Sequence, residues 1–272
     1  MAKGCEFMSK TDEKKLLIEN LSLISHELQT PVSLISATAK LTEMMLEQNK
    51  FDYNEFKGFM DNILNNCNKL SMLISNISEA NHISCSHKEY VDLKSFFETF
   101  YETIVPFGVE NNTSIKCEFT TETEHMYISS IMLERVLLNL ITNAIKYNDK
   151  TKKTIKIKVF DEDNSLIISV KDNGIGIEKD NIPKVTEEFY RVDKTVAPGV
   201  GIGLSIVKKY IDSINGKLKI KSRIKKGTEV IISIPYDSND IFAANESAYI
   251  YVPEKASFNI EFAQLKKPYT TD

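Results

Sequence analysis

Nothing in this 272-residue chain approaches the apolar run of about 18 residues that a membrane-spanning helix needs, so no segment reads as a span. The opening MAKGCEFMSK has no apolar core and is not a signal peptide. Residues 1–15 read as a native extension or an added leader, since Met8 serves equally well as a start. Cysteine is sparse: Cys5, Cys67, Cys85 and Cys117 lie far apart and form no C-x-x-C pair. That argues against a disulfide framework and for a reducing, cytoplasmic setting, or the cytoplasmic part of a membrane-associated sensor. Charge of one sign is also missing. Lysine and arginine number 34 against 38 acidic residues, net −4, and the signs are mixed along the chain. No basic stripe suggests nucleic acid, no acidic tail suggests a solvating arm, and no membrane contact is expected within this chain. Repeats and low-complexity tracts are absent. One cluster, His82-Ile-Ser-Cys85-Ser-His87, has ligand-type residues, but no fourth ligand is apparent nearby and a solvated linker is the preferred reading.

The length allows one large domain or two ordinary ones, and the pattern favours two. Phe56, Met60, Ile63, Cys67, Leu70, Ile74 and Ile77 keep 4-3-4-3 spacing, a heptad seam. Before them Leu17, Leu21, Ile24, Leu28, Ile35 and Met45 run near the same spacing, with Pro31 and Thr38 at intervening seam positions and a turn expected at 51–54. Such a hairpin, residues 16–82, cannot bury a two-sided seam alone, so a homodimer forming a four-helix bundle is expected. A linker is expected at 83–90. From 91 to 236 strand-like alternation at 154–160, 166–170, 217–222 and 229–235 interleaves with helical stretches near 129–147 and 202–214. That predicts a sheet covered by helices on one face, an α/β sandwich, and an α+β chain as a whole. Residues 237–272 form a tail of no assigned role.

Three stretches carry chemistry. Asn139, Asn143 and Lys146 are spaced to share one helix face, where they can meet a metal ion and a phosphate. DNGIGI (172–177) follows directly on a strand, which puts Asp172 at the strand end with Gly174 and Gly176 allowing close backbone approach. Gly199, Gly201 and Gly203 precede an amphipathic helix whose exposed N–H groups make a phosphate cradle. Each is weak alone, and a tight turn or a solvated face explains it equally well. A fourth oddity is LISHELQTPVSLI (23–35), a helical pattern with Pro31 in its middle.

Together and in this order the stretches resemble the catalytic core of a two-component sensor histidine kinase. SHELQTP resembles the H box, NLITNAIKY the N box, DNGIGI the G1 box, EEFYRVDK the F box and GVGIGL the G2 box, with KGT (226–228) as the last nucleotide-proximal turn. The resemblance implies the ATP-binding fold shared by gyrase, Hsp90, histidine kinases and MutL. It implies that His26 accepts the phosphoryl group, that Glu27 is its base, and that Thr30 orients a water for dephosphorylating a response regulator. It further implies that Asn143 binds Mg²⁺ with Asn139 a turn away, that Lys146 and Tyr147 lie along the phosphates of ATP, and that Asp172 accepts from the adenine amino group. Gly174, Gly176, Ile177, Gly201, Gly203, Leu204 and Thr228 would shape the pocket. Phe189, Tyr190 and Arg191 would belong to a lid, with Arg191 at the γ-phosphate. The implied partners are a second copy of the chain and a response regulator receiver domain. Pro31 would bend the helix that presents His26 to both.

Three departures stand out. Gln29 replaces the usual H-box cation, Ser129 and Ile131 stand where acidic residues are common, and the lid segment KTVAPGV (194–200) is short. A non-catalytic, dimeric docking protein for a regulator is the alternative, but the complete inventory of site residues favours an enzyme. A gyrase- or chaperone-type ATPase leaves the H box on a heptad hairpin unexplained.

Overall fold

The computed structural model describes residues 10–47, 52–79, 87–192, 201–236 and 251–253, and the single positions 258, 262 and 265. Helix α1 (Lys10–Glu47) begins inside the expected N-terminal extension, and α2 (Tyr53–Glu79) follows. Asp52 starts α2 by accepting the Glu55 N–H at 2.9 Å, which satisfies one orphan donor of the first turn. The two helices pack along each other through Pro31, Thr38, Thr42 and Met45 on α1 and Phe59, Asn66 and Leu73 on α2, all buried. The buried stripe of α2 thus runs one residue ahead of part of the heptad seam. Met60, Cys67 and Ile74, seven residues apart, stay exposed in the single chain. Asn62 bridges the helices by donating to the Thr38 hydroxyl at 3.3 Å. The side chains of Leu17, Leu21 and Ile77 lie outside the described residues, as do residues 80–86 with His82 and Cys85.

The second unit begins with β1 (Glu89–Asp92), inside the expected linker, and α3 (Leu93–Glu110). Then come β2 (Thr113–Phe119), β3 (His125–Ile128), α4 (Ser130–Lys146), β4 (Lys153–Glu162), β5 (Ser165–Asp172), α5 (Gly203–Ser213), β6 (Lys217–Arg223) and β7 (Gly227–Pro235). β1 and β3 form a small antiparallel ribbon. The main sheet has the order β2-β4-β5-β7-β6, antiparallel except for the β2–β4 pair. Alternation puts Ile155, Ile157 and Val159 of β4, Leu166, Ile168 and Val170 of β5, and Val230, Ile232 and Ile234 of β7 on one face. There they join Phe97, Leu133, Leu137 and Val207 of the three helices in one core. Each such aliphatic side chain contributes roughly 1.5–3 kcal/mol over an exposed one. Helices therefore cover one face of the sheet, as the strand pattern predicts. Sequence periodicity gives β4, β5, β6, β7, α4 and α5 nearly to the residue, but not α3, β1, β2 or β3.

Two details fix α4, the helix of the asparagine face. Ser129 at its N-cap makes no side-chain cap. Instead the carboxylate of Glu89, brought by β1, accepts the Ser130 N–H at 3.0 Å and the Ser130 hydroxyl. A carboxylate there serves both the orphan donors and the helix dipole.

The tail also belongs to this core. Tyr251, Phe258 and Phe262 are buried against α3: Tyr251 lies 4.4 Å from Phe96, Phe258 5.7 Å from Phe100, and Phe262 4.6 Å from Phe107, ring centre to ring centre. The Tyr251 hydroxyl also bonds to Glu134 of α4. Truncation after Tyr236 should therefore expose Phe96, Phe100 and Phe107 and cost at least about 3 kcal/mol, the loss typical of one buried aromatic. Calorimetry should show a clearly lowered Tm with increased binding of an apolar dye. An unchanged Tm would mean that the tail packs without stabilising.

Candidate active site

A cavity of about 170 Å3 opens between α4, the ends of β5 and β7, and the start of α5. Of the residues singled out in the sequence, Asn143, Tyr147, Asp172, Gly176, Ile177, Tyr190, Arg191, Gly201, Leu204 and Thr228 line it. Its apolar lining includes Leu140, Ala144, Val170, Ile220 and Val230, which motif reading passes over. These are the inward alternates of the same strands and helix, so periodicity carries the missing signal.

Asp172 is the polar centre of the inner end. Its Oδ1 accepts the Gly174 N–H at 2.7 Å and the Thr228 N–H at 3.1 Å. Burial pushes its pKa up from the ordinary carboxylate value, and these two backbone donors oppose the shift. Around it the turn is tied down. Ser222 Oγ accepts the Ile177 N–H at 2.8 Å, and the Asn148 side chain donates to Asn173 Oδ1 at 2.9 Å. Gly176 has φ +74°, and a Cβ there would come 2.2 Å from the Arg223 carbonyl oxygen, so only glycine fits.

Three of the expected residues, Asn139, Gly203 and Gly174, stand behind the cavity wall. Asn139 is buried at 6% exposure beside Gly203, where an added Cβ would lie 2.2 Å from Asn139 Oδ1. Gly203 thus lets the N-terminus of α5 close onto α4, and Asn139 fixes that closure instead of lining the cavity. Gly174 packs against the Tyr147 carbonyl, a contact as close as 2.4 Å for an added Cβ.

At the outer end the cations gather. Lys146 lies at the end of α4, its Nζ 5.5 Å from the Tyr147 ring centre, and the Arg191 side chain is only 6% exposed. Burial first, and then the Arg191 cation, lower the Lys146 pKa to about 8, while the Glu27 carboxylate pulls the other way. Burial likewise raises the Tyr147 pKa, with Arg191 opposing.

Glu27 is where the hairpin reaches this site. Its Oε1 lies 3.8 Å from Arg191 NH1, so α1 supplies a carboxylate to the cavity's own arginine. A small apolar cluster holds the two units in this pose: Leu73 of α2 with Ile202 and Ile206, packed by Ile24, Leu28 and Phe189. His26 and Thr30 are both exposed on the same helix. α1 runs unbroken through Pro31, and the Thr30 hydroxyl donates to the His26 carbonyl at 3.0 Å. The lid residues 193–200, with the short KTVAPGV segment, lie outside the described residues.

The chain's relatives fit this arrangement. Residues 129–238 match the family of histidine kinase-, DNA gyrase B- and HSP90-like ATPases. The sensor protein RprX of Bacteroides fragilis is 29% identical over 85% of the chain and 45% of its own length. The sensor protein kinase WalK of Staphylococcus haemolyticus is 26% identical over 82% of the chain and 37% of its own length. The chain thus spans less than half the length of either relative. In fold it resembles the histidine kinase ThkA solved with the response regulator protein TrrA, with a TM-score of 0.60 and 22% identity over 84% of the chain and 64% of that structure. It also resembles the Acinetobacter baumannii histidine kinase AdeS, with a TM-score of 0.57 and 21% identity over 78% of the chain and 98% of that structure. Residues 129–238 thus match the histidine kinase-, gyrase- and HSP90-like ATPases, and with the hairpin ahead of them the chain has the fold of these solved histidine kinases.

Proposed function

We propose that this chain autophosphorylates His26 from ATP and passes the phosphoryl group to an aspartate of a response regulator receiver domain. The observation that carries the reading is the Glu27–Arg191 pair, because it joins the histidine-bearing helix to the wall of the nucleotide cavity. Asp172 accepts from the adenine amino group, while Lys146 and Arg191 neutralise the phosphates. In the transfer a neutral ring nitrogen of His26 bonds to the γ-phosphorus as its bond to the β,γ-bridging oxygen breaks. ADP leaves, and the proton on the other ring nitrogen passes to Glu27. Mg²⁺, when bound, adds charge neutralisation on the phosphates. The Asn143 amide oxygen on the cavity wall suits an ion that takes few protein ligands and otherwise phosphate oxygens and water. A non-catalytic docking protein gains no support, since the relatives carry kinase names and the site residues gather at one cavity.

The protein acts, on this reading, as a homodimer. Met60, Leu64 and Ile74 are exposed on α2 and Val32, Leu41 and Met44 on α1, more apolar surface than one hairpin can bury. Met60→Glu with Ile74→Glu should yield a monomer by light scattering. A wild type that is already monomeric at micromolar concentration would refute the dimer.

A short mutational series separates the proposed roles. Asp172→Asn should weaken nucleotide binding in calorimetry, whereas His26→Gln should bind ATP normally yet take no acid-labile label from γ-labelled ATP. Normal affinity in the Asp172 variant would remove the adenine assignment, and label retained by the His26 variant would remove the acceptor. Thr30→Ala should keep autophosphorylation but dephosphorylate a regulator about tenfold more slowly, the effect of one positioning bond of about 1.4 kcal/mol. Because Thr30 also bonds back to the His26 carbonyl, loss of stability and of both activities together would point to that structural bond instead.

Lys146 gives a pH signature. With its pKa lowered to about 8, the free protein loses this cation as pH rises through that value. A bound triphosphate favours the charged lysine and raises its pKa, so ATP binding at pH 8 should take up a proton and weaken above it. Calorimetry in buffers of different ionisation enthalpy measures the uptake. Lys146→Met should abolish it, and uptake persisting in that variant would assign the proton elsewhere.

A further inference from the structure

The sheet has a second face, which no helix among the described residues covers. Outward alternates place Lys116 and Glu118 of β2 there, Lys156, Lys158 and Glu162 of β4, Lys171 of β5, Glu229 of β7, and Lys217, Lys219, Lys221 and Arg223 of β6. Pairing lines them up across the strands. Lys116 stands opposite Lys156, Lys156 opposite Lys171, Lys171 opposite Glu229, and Glu229 opposite Lys221. The face thus holds eight cations and three carboxylates in a chain whose net charge is −4. Glu118 pairs with Lys156 and, at 3.3 Å, with Lys158. Glu229 instead accepts a hydrogen bond from the Ser169 hydroxyl at 3.0 Å. Among the described residues no carboxylate forms a salt bridge with Lys116, Lys171, Lys217, Lys219, Lys221 or Arg223.

Solubility of an open sheet face requires polar residues, and mixed signs serve it as well as one sign. The excess of one sign is what needs an account. We propose that this face docks the protein reversibly on an anionic lipid bilayer. The features of the face select that occupant. Strand spacing of about 4.8 Å sets its cations in a flat two-dimensional array suited to an extended charged plane. Seven of the eight are lysines, point charges suited to loose contact with headgroups, where nucleic-acid recognition favours the arginine fork. The larger apolar side chains pointing this way, Ile167, Ile231 and Phe160, are buried or half-buried, so the face offers no exposed anchor of the kind that dominates protein–protein interfaces. Docking this way leaves the nucleotide site open, because Val170, Ile220 and Val230 line the cavity from the opposite side of the same strands. The linear sequence suggests no membrane contact. Only strand pairing assembles the charge.

The test is sedimentation of the full chain with vesicles of phosphatidylcholine alone or mixed with phosphatidylglycerol, at low and at physiological salt. Binding is expected only to the mixed vesicles, and it should fall steeply as salt rises, since screening acts over about 10 Å at 0.1 M. Lys116→Glu, Lys217→Glu and Lys219→Glu together should reduce partitioning tenfold or more, at a factor of about five per charge. Lys94→Glu on the helical side should change it little. If the triple reversal does not fold by circular dichroism, Lys116→Gln, Lys217→Gln and Lys219→Gln should reduce binding in the same direction. No binding to mixed vesicles at low salt would overturn the proposal, as would equal loss in the Lys94 variant. Tighter binding to duplex DNA or to polyglutamate at matched charge would also overturn it, in favour of a different class of partner. None of these outcomes bears on ATP binding, so the proposal can fail while the kinase reading stands.

Discussion

Six apolar side chains join the hairpin to the ATP-binding unit, and the proposed chemistry depends on that joint. Leu73, Ile202 and Ile206 are buried there, with Ile24, Leu28 and Phe189 packed around them. The main core, by contrast, runs through three helices, all seven strands and the tail. At roughly 1.5–3 kcal/mol per buried side chain before any entropy is charged, the joint is far weaker than that core. In this pose it brings Glu27 to Arg191. On the proposed reading His26 meets both ATP and a separate regulator, and such a joint suits that role, since one rigid pose serves only one of the two.

The site was legible where chemistry dictates residue type in sequence. Asp172 with its following glycines, the asparagine helix and the glycines before α5 each stand out because backbone approach or helix-end geometry admits few alternatives. His26 became readable only through its neighbours Glu27, Thr30 and Pro31. Asn139 was placed on the same face as Asn143 by helical spacing, yet it sits behind the wall against Gly203. Periodicity gives a direction around a helix but not how close the next element comes.

What escaped the sequence is what long-range pairing creates. β2 enters the sheet parallel to β4, and its short alternating pattern, SIKCEF, is too brief to announce a strand. α3 contains Pro106 and Gly108, which mask its helical pattern. The tail's Tyr251, Phe258 and Phe262 have no local regularity, and their aromatic partners are more than 140 residues earlier in the chain. Ser129 looked like the loss of an acidic residue at the start of α4. The carboxylate is there, but Glu89 supplies it from another strand.

The sheet's register ties these parts together. A slip of one residue in β5 would carry Lys171 to the inner face and Val170 to the outer, since side chains alternate with period two. Asp172 guards against that slip. Its Oδ1 bonds the Thr228 N–H on β7 and the Gly174 N–H in the turn, so it is held only when β5 and β7 are paired as observed. Among the described residues these two bonds use one oxygen, leaving the second free to accept from a ligand. The residue proposed to recognise adenine is therefore also a latch on the strands that shape its pocket. Replacing that carboxylate with an amide leaves one neutral oxygen for both bonds, which weakens them by removing the charge, and turns a nitrogen that cannot accept toward the ligand. Binding and local order should then be lost together at Asp172. At His26, exposed on a long helix and holding nothing in place with its side chain, chemistry can be removed without structure.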